Sequence, residues 1–278
     1  MATRVAVVTG ANKGIGFGIV RNLCRLFKGD VLLTARSAER GEAAVKKLKE
    51  EGLSAKFHQL DINDKQSIKN LRDYLLNEYG GLDVLVNNAA IAYTYDSPAS
   101  VLEQAENTVG TNFFATRDVC NILFPILRPH ARVVNVSSSA GMLQRIPSQE
   151  IRARFASPTL TEDELVAIVN EYLDDVRNGV QKQKGWPPTT YIASKVPLTA
   201  LTFIQQRNFD KDPREDIIVN AVHPGYVDTD MTCHKGHLTI EQGAEAPTFL
   251  ALLPPNVKEP KGQMVWFDKR IVNWFTDK

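Results

Sequence analysis

Thr9-Gly10-Ala11-Asn12-Lys13-Gly14-Ile15-Gly16, directly after the apolar run Val5 to Val8, is the stretch on which the fold turns. Val5 to Thr9 reads as a buried strand, and helical periodicity begins at Gly14, so the glycines occupy a strand-to-helix turn. Glycine there lets the backbone approach a pyrophosphate, while the helix N-terminus supplies free amides and a favourable dipole. A glycine cluster elsewhere is an ordinary turn. In this context it marks Gly10, Asn12, Lys13, Gly14, Ile15 and Gly16 as nucleotide-binding residues.

The same alternation continues outward from that turn. Further strands are expected at Val31 to Ala35, Ala55 to Gln59, Val84 to Asn87, Val133 to Ser137, Ile217 to Ala221 and Gln263 to Phe267. Helices are expected to begin near Ala38, Asp64, Val101, Phe113, Tyr191 and Ile240. Short Val/Ile/Leu runs alternating with helices predict an α/β fold, a doubly wound parallel sheet of the Rossmann type. Residues 1–278 read as a single domain, interrupted by a helical insertion at about 139–190. Within the insertion, Thr161 with Glu164 forms a capping box, and Leu165, Ile168, Val169, Tyr172, Leu173 and Val176 follow at helical spacing.

The end of the second strand selects the dinucleotide. An acid there would bind a ribose 2′-hydroxyl, whereas a base accommodates a 2′-phosphate. Arg36 stands where the acid would be, Arg40 follows at the start of the next helix, and Lys13 lies in the glycine turn. Three cations converging on one phosphate predict NADP(H).

With 278 residues the chain can bury one sizeable core, and its formal charge of +1 gives no general attraction for nucleic acid or an anionic membrane. Cys24, Cys120 and Cys233 are odd in number and widely spaced, which suits reduced thiols. With no apolar run of membrane-spanning length and a strand at the very beginning of the sequence, a cytoplasmic location is expected. Cys233, His234 and His237 lack a fourth ligand, so no metal site is expected.

Tyr191-Ile192-Ala193-Ser194-Lys195 places a phenol and an ammonium on one side of a helix. A nearby cation favours phenolate, so such a tyrosine can give a proton to a developing alkoxide and recover it.

Five stretches then stand in a recognisable order: Thr9-Gly10-x-x-x-Gly14-x-Gly16, Asn87-Asn88-Ala89-Ala90, Asn135-Val136-Ser137-Ser138, Tyr191-x-x-x-Lys195 and Pro224-Gly225. In this the chain resembles the short-chain dehydrogenases/reductases over nearly its whole length. Gly10 to Gly16, Phe57 to Asp61, Glu78 to Asp83 and the long segment before Tyr191 resemble the cytosolic carbonyl reductases within that family. The resemblance implies a catalytic group of Asn112, Ser138, Tyr191 and Lys195. Tyr191 would be the general acid and Ser138 would donate to the substrate oxygen. Lys195 would lower the Tyr191 pKa and bind the nicotinamide ribose, and Asn112 would hold a water in the proton relay. Ser138 is chosen over Ser137 because neighbouring residues of a strand face opposite ways. Asp61 and Ile62 would contact adenine, Asn88 and Ala89 the adjoining ribose, and Val227 and Thr229 the carboxamide, with Pro224 and Gly225 completing the cofactor site.

The same resemblance implies a small-molecule carbonyl substrate. Its pocket would draw on Ser138, Ala140, Met142, Trp186, Tyr226 and Met231, an apolar set suited to quinones, aromatic aldehydes and ketones. The capped helix would cover the surface through which many family members form tetramers, which implies a monomer. Two alternatives stand beside broad carbonyl reduction: a reductase or dehydrogenase of one metabolite, such as an alicyclic or terpenoid ketone, and a non-catalytic NADP(H)-sensing protein. Two departures from the family pattern are Ala90, where glycine is usual, and Pro197, which its helix is expected to tolerate near the N-terminal end.

Overall fold

A computed structural model describes residues 3–277. Its centre is an eight-stranded sheet of order β3-β2-β1-β4-β5-β6-β7-β8, parallel except for the last pair. The strands are β1 Val5–Val8, β2 Asp30–Ala35, β3 Lys56–Gln59, β4 Leu82–Asn87, β5 Leu127–Val136, β6 Ile218–Val222, β7 Met264–Val265 and β8 Ile271–Val272. The crossover from β3 to β4 returns to the other side of β1, which opens a crevice at the C-terminal ends of β1 and β4. Open parallel sheets bind ligands at that reversal.

Alternation along the strands divides the core. Ala6, Val8, Leu33, Val84, Val86 and Val134 face one helical layer, formed by α1 (Gly14–Leu26), α2 (Ala38–Glu50) and α9 (Ile240–Ala251). Val5, Val7, Leu32, Leu85, Val133 and Val219 face the other, where α3 (Lys65–Tyr79) supplies Ile68, Leu71 and Leu75. Between α3 and β5 the chain runs through α4 (Val101–Val109), a π-helical stretch Gly110–Ala115 and α5 (Thr116–Leu123). The helix expected near Phe113 is thus a continuation of α4, with a π turn at its middle.

The insertion holds α6 (Gln149–Phe155) and α7 (Glu162–Arg177). Thr161 and Glu164 make the reciprocal bonds of a capping box at the start of α7. Leu165, Ile168, Val169 and Tyr172 pack into a third cluster with Phe113 and with Val196 and Ala200 of α8 (Thr190–Phe209). Arg117 with Glu162, and Arg177 with Glu106, pin α7 across the helices beneath it.

One expectation about the end of the chain and one about α8 need correction. The strand expected over Gln263 to Phe267 pairs only at Met264 and Val265, because the chain turns back as β8. Pro197 is not at the N-terminal end of α8: it is the eighth residue, buried, in the helix interior. Having no N–H, it leaves the Ala193 carbonyl without its helical partner, yet the helix runs through it, held by burial of nearly every residue from Ala193 to Ile204.

Candidate active site

The crevice is a cleft of about 920 Å³ that runs from the glycine turn to Tyr191 and Lys195. At one end Thr9 and Asn88 lock the turn to β4. The Thr9 hydroxyl accepts from the Asn88 and Ala89 amides, both at 3.0 Å, and the Asn88 side-chain amide donates to the Thr9 and Gly10 carbonyls. Gly10 has φ of 61° and lies so close to Ala89 that a Cβ would come within 2.8 Å of its backbone. Helix α1 begins at this point with no side-chain cap, in contrast to α2, α3, α4, α7, α8 and α9. Its first amides are therefore available to an anion.

Gly10, Asn12, Lys13, Gly14, Ile15, Gly16, Arg36, Arg40, Asp61, Ile62, Asn88, Ala89, Pro224, Thr229 and Met231 all line the cleft with Tyr191 and Lys195. Among the described residues, Arg36 and Arg40 have no ion-pair partner, whereas Lys13 is paired with Asp230 across the cleft mouth. The cleft therefore carries two uncommitted cations where the ribose phosphate is expected and one that is already engaged.

At the chemical end, Tyr191 is the second residue of α8, whose start is capped by the Thr189 hydroxyl. Burial pushes its phenol up to about 12, against the opposing pull of the neighbouring Ser138 hydroxyl. Lys195 is 2% exposed, and its Nζ donates to the Val136 carbonyl at 2.8 Å and stands 5.7 Å from the centre of the Tyr191 ring. Burial brings it down to about 7. The expectation that Lys195 lowers the tyrosine is not met here: burial disfavours both charged forms. The phenol stays protonated, as a proton donor requires. The two serines face different partners, and Ser137 is the one that lines the cleft. Ser137 is buried against Thr199 at 2.7 Å, and Ser138 turns towards Tyr191 while accepting from the Ala140 amide.

Asn112 lies inside the π turn, buried, with its side chain bound to both the amide and the carbonyl of Ile91 and to the Ser194 hydroxyl. π turns inside α-helices recur at functional positions. This one joins the β4–α4 loop to α8 three residues from Tyr191. Ser194 was not anticipated. The only sequence sign of it is a small polar residue between Tyr191 and Lys195.

Other expected residues fall elsewhere. Met142 is fully buried, and Trp186 is 5% exposed with its indole N–H on Asp175 at 2.7 Å and its ring against Tyr172. Both belong to the core beneath the insertion and are not pocket walls. Val227 is likewise buried, and a Cβ on Gly243 would strike it. Ser138, Ala140, Gly225 and Tyr226 lie outside the wall of the cleft, and Tyr226 is exposed beside His237. The cleft instead takes in Tyr93, Asn107 and Thr111, from the β4–α4 loop, α4 and the π turn, which sequence reasoning missed. Nothing in their local sequence distinguishes them, since only the crossover topology brings them to the cleft. Cys233 and His237 form no metal cluster with His234 among the described residues. Both ring nitrogens of His234 meet carboxylates, Asp228 at 2.7 Å and Asp230 at 3.3 Å.

The family model of the short chain dehydrogenases matches residues 4–150. The chain belongs to the short-chain dehydrogenase/reductase family. It is 54% identical over 275 residues to carbonyl reductase (NADPH) 3 of Rattus norvegicus, a match covering 98% of this chain and 99% of the relative. It is 51% identical over 272 residues to carbonyl reductase (NADPH) 1 of Homo sapiens, covering 97% and 98%. Among solved structures, salutaridine reductase from Papaver somniferum superposes with a TM-score of 0.85 at 32% identity, covering 94% of this chain and 99% of that one. The family's doubly wound single-domain fold is thus present here in full. No helix among the described residues is long and apolar enough to cross a membrane.

Proposed function

We propose that this short-chain dehydrogenase/reductase is an NADPH-dependent carbonyl reductase that converts quinones, aromatic aldehydes and ketones to hydroquinones or alcohols. The observation that carries the reading is one continuous cleft with Arg36 and Arg40 at one end, without ion-pair partners among the described residues, and Tyr191 and Lys195 at the other, Ser138 lying beside Tyr191. Full-length relatives named carbonyl reductase (NADPH) support it. The uncapped start of α1 and the two free guanidinium groups suit the pyrophosphate and the 2′-phosphate of NADPH. When bound, the cofactor supplies the hydride.

The residues of the chain do the rest. Asp61 and Ile62 would hold the adenine end, and Asn88 and Ala89 the adjoining ribose, all on the wall of the cleft. Lys195 would bind the nicotinamide ribose. Ser138 donates to the substrate oxygen, and Tyr191, protonated through burial, gives that oxygen its proton. Asn112 acts in the relay that returns the proton. Its side chain is already committed to Ile91 and Ser194, so its part is to hold the β4–α4 loop and α8 in register. Thr229 would meet the carboxamide, with Pro224 and Met231 on the same wall of the cleft.

The enzyme is a cytosolic monomer in this reading. Its three cysteines are free thiols, and α7 lies over α4 and α8, where a partner subunit would otherwise pack. Light scattering that gave a stable tetramer would reject the monomer. The test of function is NADPH and NADH oxidation over a panel of quinones, aldehydes and ketones, with Tyr191→Phe as control. NADPH binding without turnover across the panel would favour a sensing role. The match to salutaridine reductase favours a second reading, reduction of one alicyclic ketone. In that case a single substrate would exceed the others in kcat/KM by orders of magnitude.

A further inference from the structure

The aromatic end of the chain, from Trp266 to Phe275, has no part in the mechanism above. It nevertheless reaches the turn that carries Ser138. Trp274 is 2% exposed, and its indole N–H donates to the Gly141 carbonyl at 2.6 Å. Its own carbonyl accepts from the Leu143 amide at 3.3 Å, and the carbonyl of Phe275 accepts from the Gln144 side chain. The Trp274 ring stands edge-on to Phe203 of α8, 5.1 Å between centres. The tail thus touches both the loop after β5 and the helix bearing Tyr191 and Lys195.

Gly141 is gripped from its other side as well. A Cβ there would lie 2.3 Å from the Ser137 hydroxyl and 2.7 Å from that of Thr199. Its amide donates to the Ser138 carbonyl at 2.8 Å, closing a single 3-10 turn over Ser139–Gly141, and the Ala140 amide donates to the Ser138 hydroxyl. The carbonyl that Trp274 holds and the hydroxyl beside Tyr191 therefore belong to one hydrogen-bonded turn. Removing the indole donor leaves a buried carbonyl unsatisfied. The turn can relieve this by rotating towards another donor, and such a rotation would carry Ser138 with it.

We propose that Trp274 is a positioning residue for the reduction, its indole N–H holding the Ser138 turn so that the serine and Tyr191 converge on one substrate oxygen. The inference rests on the carbonyl-reductase reading. Small misplacements of a group that orients the reacting atoms lower kcat more than binding. A plain packing anchor for the C-terminus would instead lower stability and leave kcat per folded molecule unchanged.

The test is a double-mutant cycle of Trp274→Phe and Ser138→Ala in the full-length protein, with a para-quinone as substrate and rates normalised to NADPH-binding sites. Trp274→Phe is expected to lower kcat about tenfold, with NADPH affinity and quinone KM within about twofold of wild type. In the Ser138→Ala background the same change should cost less than about twofold, because residues acting through one group are non-additive. Trp274→His, which keeps a ring N–H, should recover part of the rate. Phe203→Leu, which removes ring packing but keeps the indole bond, should lower Tm and spare kcat. Additive losses in the cycle, an unchanged kcat in Trp274→Phe, no recovery in Trp274→His or an equal kcat loss in Phe203→Leu would each overturn the proposal. Absence of NADPH turnover in the wild type would instead strike the carbonyl-reductase reading itself.

Discussion

The two ends of the sheet treat charge in opposite ways. At the N-terminal ends of the strands, Asp30 meets Lys56 and Tyr79, Asp83 meets Arg4, Arg128 and the Val5 amide, and Asp216 meets Arg132, His130 and the Asn256 amide. At the C-terminal ends, Arg36 and Arg40 meet no acid among the described residues, α1 has no side-chain cap, and Tyr191 and Lys195 are both pushed towards neutrality by burial. The strands are the same and so is their apolar filling. The difference is between polar groups that close on one another and polar groups left open for a ligand. Substitutions at the closed end should therefore act on stability and those at the open end on turnover.

The largest expected effect lies at the open end. Tyr191→Phe removes the proton donor while leaving the ring, so kcat for carbonyl reduction should fall by about 10²- to 10⁴-fold. Tm should barely change, because the lost hydroxyl is not part of any closed ion pair. Stopped-flow or steady-state NADPH oxidation, set beside a thermal melt, reads both. A large loss of Tm together with the rate would erase the distinction between the two ends.

Asp216→Ala is the counterpart at the closed end. It would leave the Arg132 guanidinium, only 2% exposed, without its carboxylate, and losing one partner of a buried pair costs about 3 to 5 kcal/mol. Burial alone would raise the Asp216 carboxyl, but the Asn256 amide, Arg132 and His130 outweigh it and hold the pKa below the usual carboxylate range. For a depressed carboxylate the stabilisation is present above the unfolded pKa and is lost as pH falls through the folded one. Wild type should therefore lose stability on acidification below about pH 4, and Asp216→Ala should show a shallower dependence. Urea melts at a series of pH values check this, and kcat per folded molecule should stay at the wild-type value.

The contrast also explains how much could be read in advance. The sheet, its order of elements and the glycine turn were legible because strand periodicity and the residues from Thr9 to Gly16 are local signals. Arg36 and Tyr191 with Lys195 were legible because their spacing is measured along the chain. Met142 and Trp186 misled because an apolar side chain in a loop sequence looks the same whether it faces a pocket or a core. Only the packing of α7 on α4 and α8 turns them inward. The π turn at Asn112 and the bond from Trp274 to Gly141 were invisible for a related reason. One depends on hydrogen-bond register within a helix, the other on contact between residues 133 positions apart.

Arg36→Asp tests the open cations. Hydrogen bonds to charged groups are worth about 1.5 to 3 kcal/mol, so kcat/KM for NADPH should fall about 10- to 100-fold. Because the new carboxylate can accept from a ribose hydroxyl, NADH should lose little or gain. Parallel assays with the two cofactors measure the ratio, and an equal loss with both would show that Arg36 supports the fold and not the choice of phosphate.

The smallest effect concerns the one cation of the cleft that is not open. Lys13 is engaged by Asp230, whose carboxyl it holds below the ordinary range, and the same carboxylate also faces His234. The pair is exposed, and exposed pairs contribute about 0 to 1 kcal/mol, so Asp230→Asn should leave Tm almost unchanged. If Lys13 gives up Asp230 to meet a cofactor phosphate, removing the carboxylate removes a competitor. NADPH should then bind about two- to fivefold more tightly at low salt, a difference that screening abolishes near 0.5 M NaCl. If instead Asp230 orients Lys13 towards the phosphate, affinity falls by a similar factor. Titration of NADPH binding by fluorescence at two salt concentrations decides between them. Lys13 meets the phosphate in either case: the first outcome makes Asp230 its competitor, and the second makes the closed pair a preformed part of the open end.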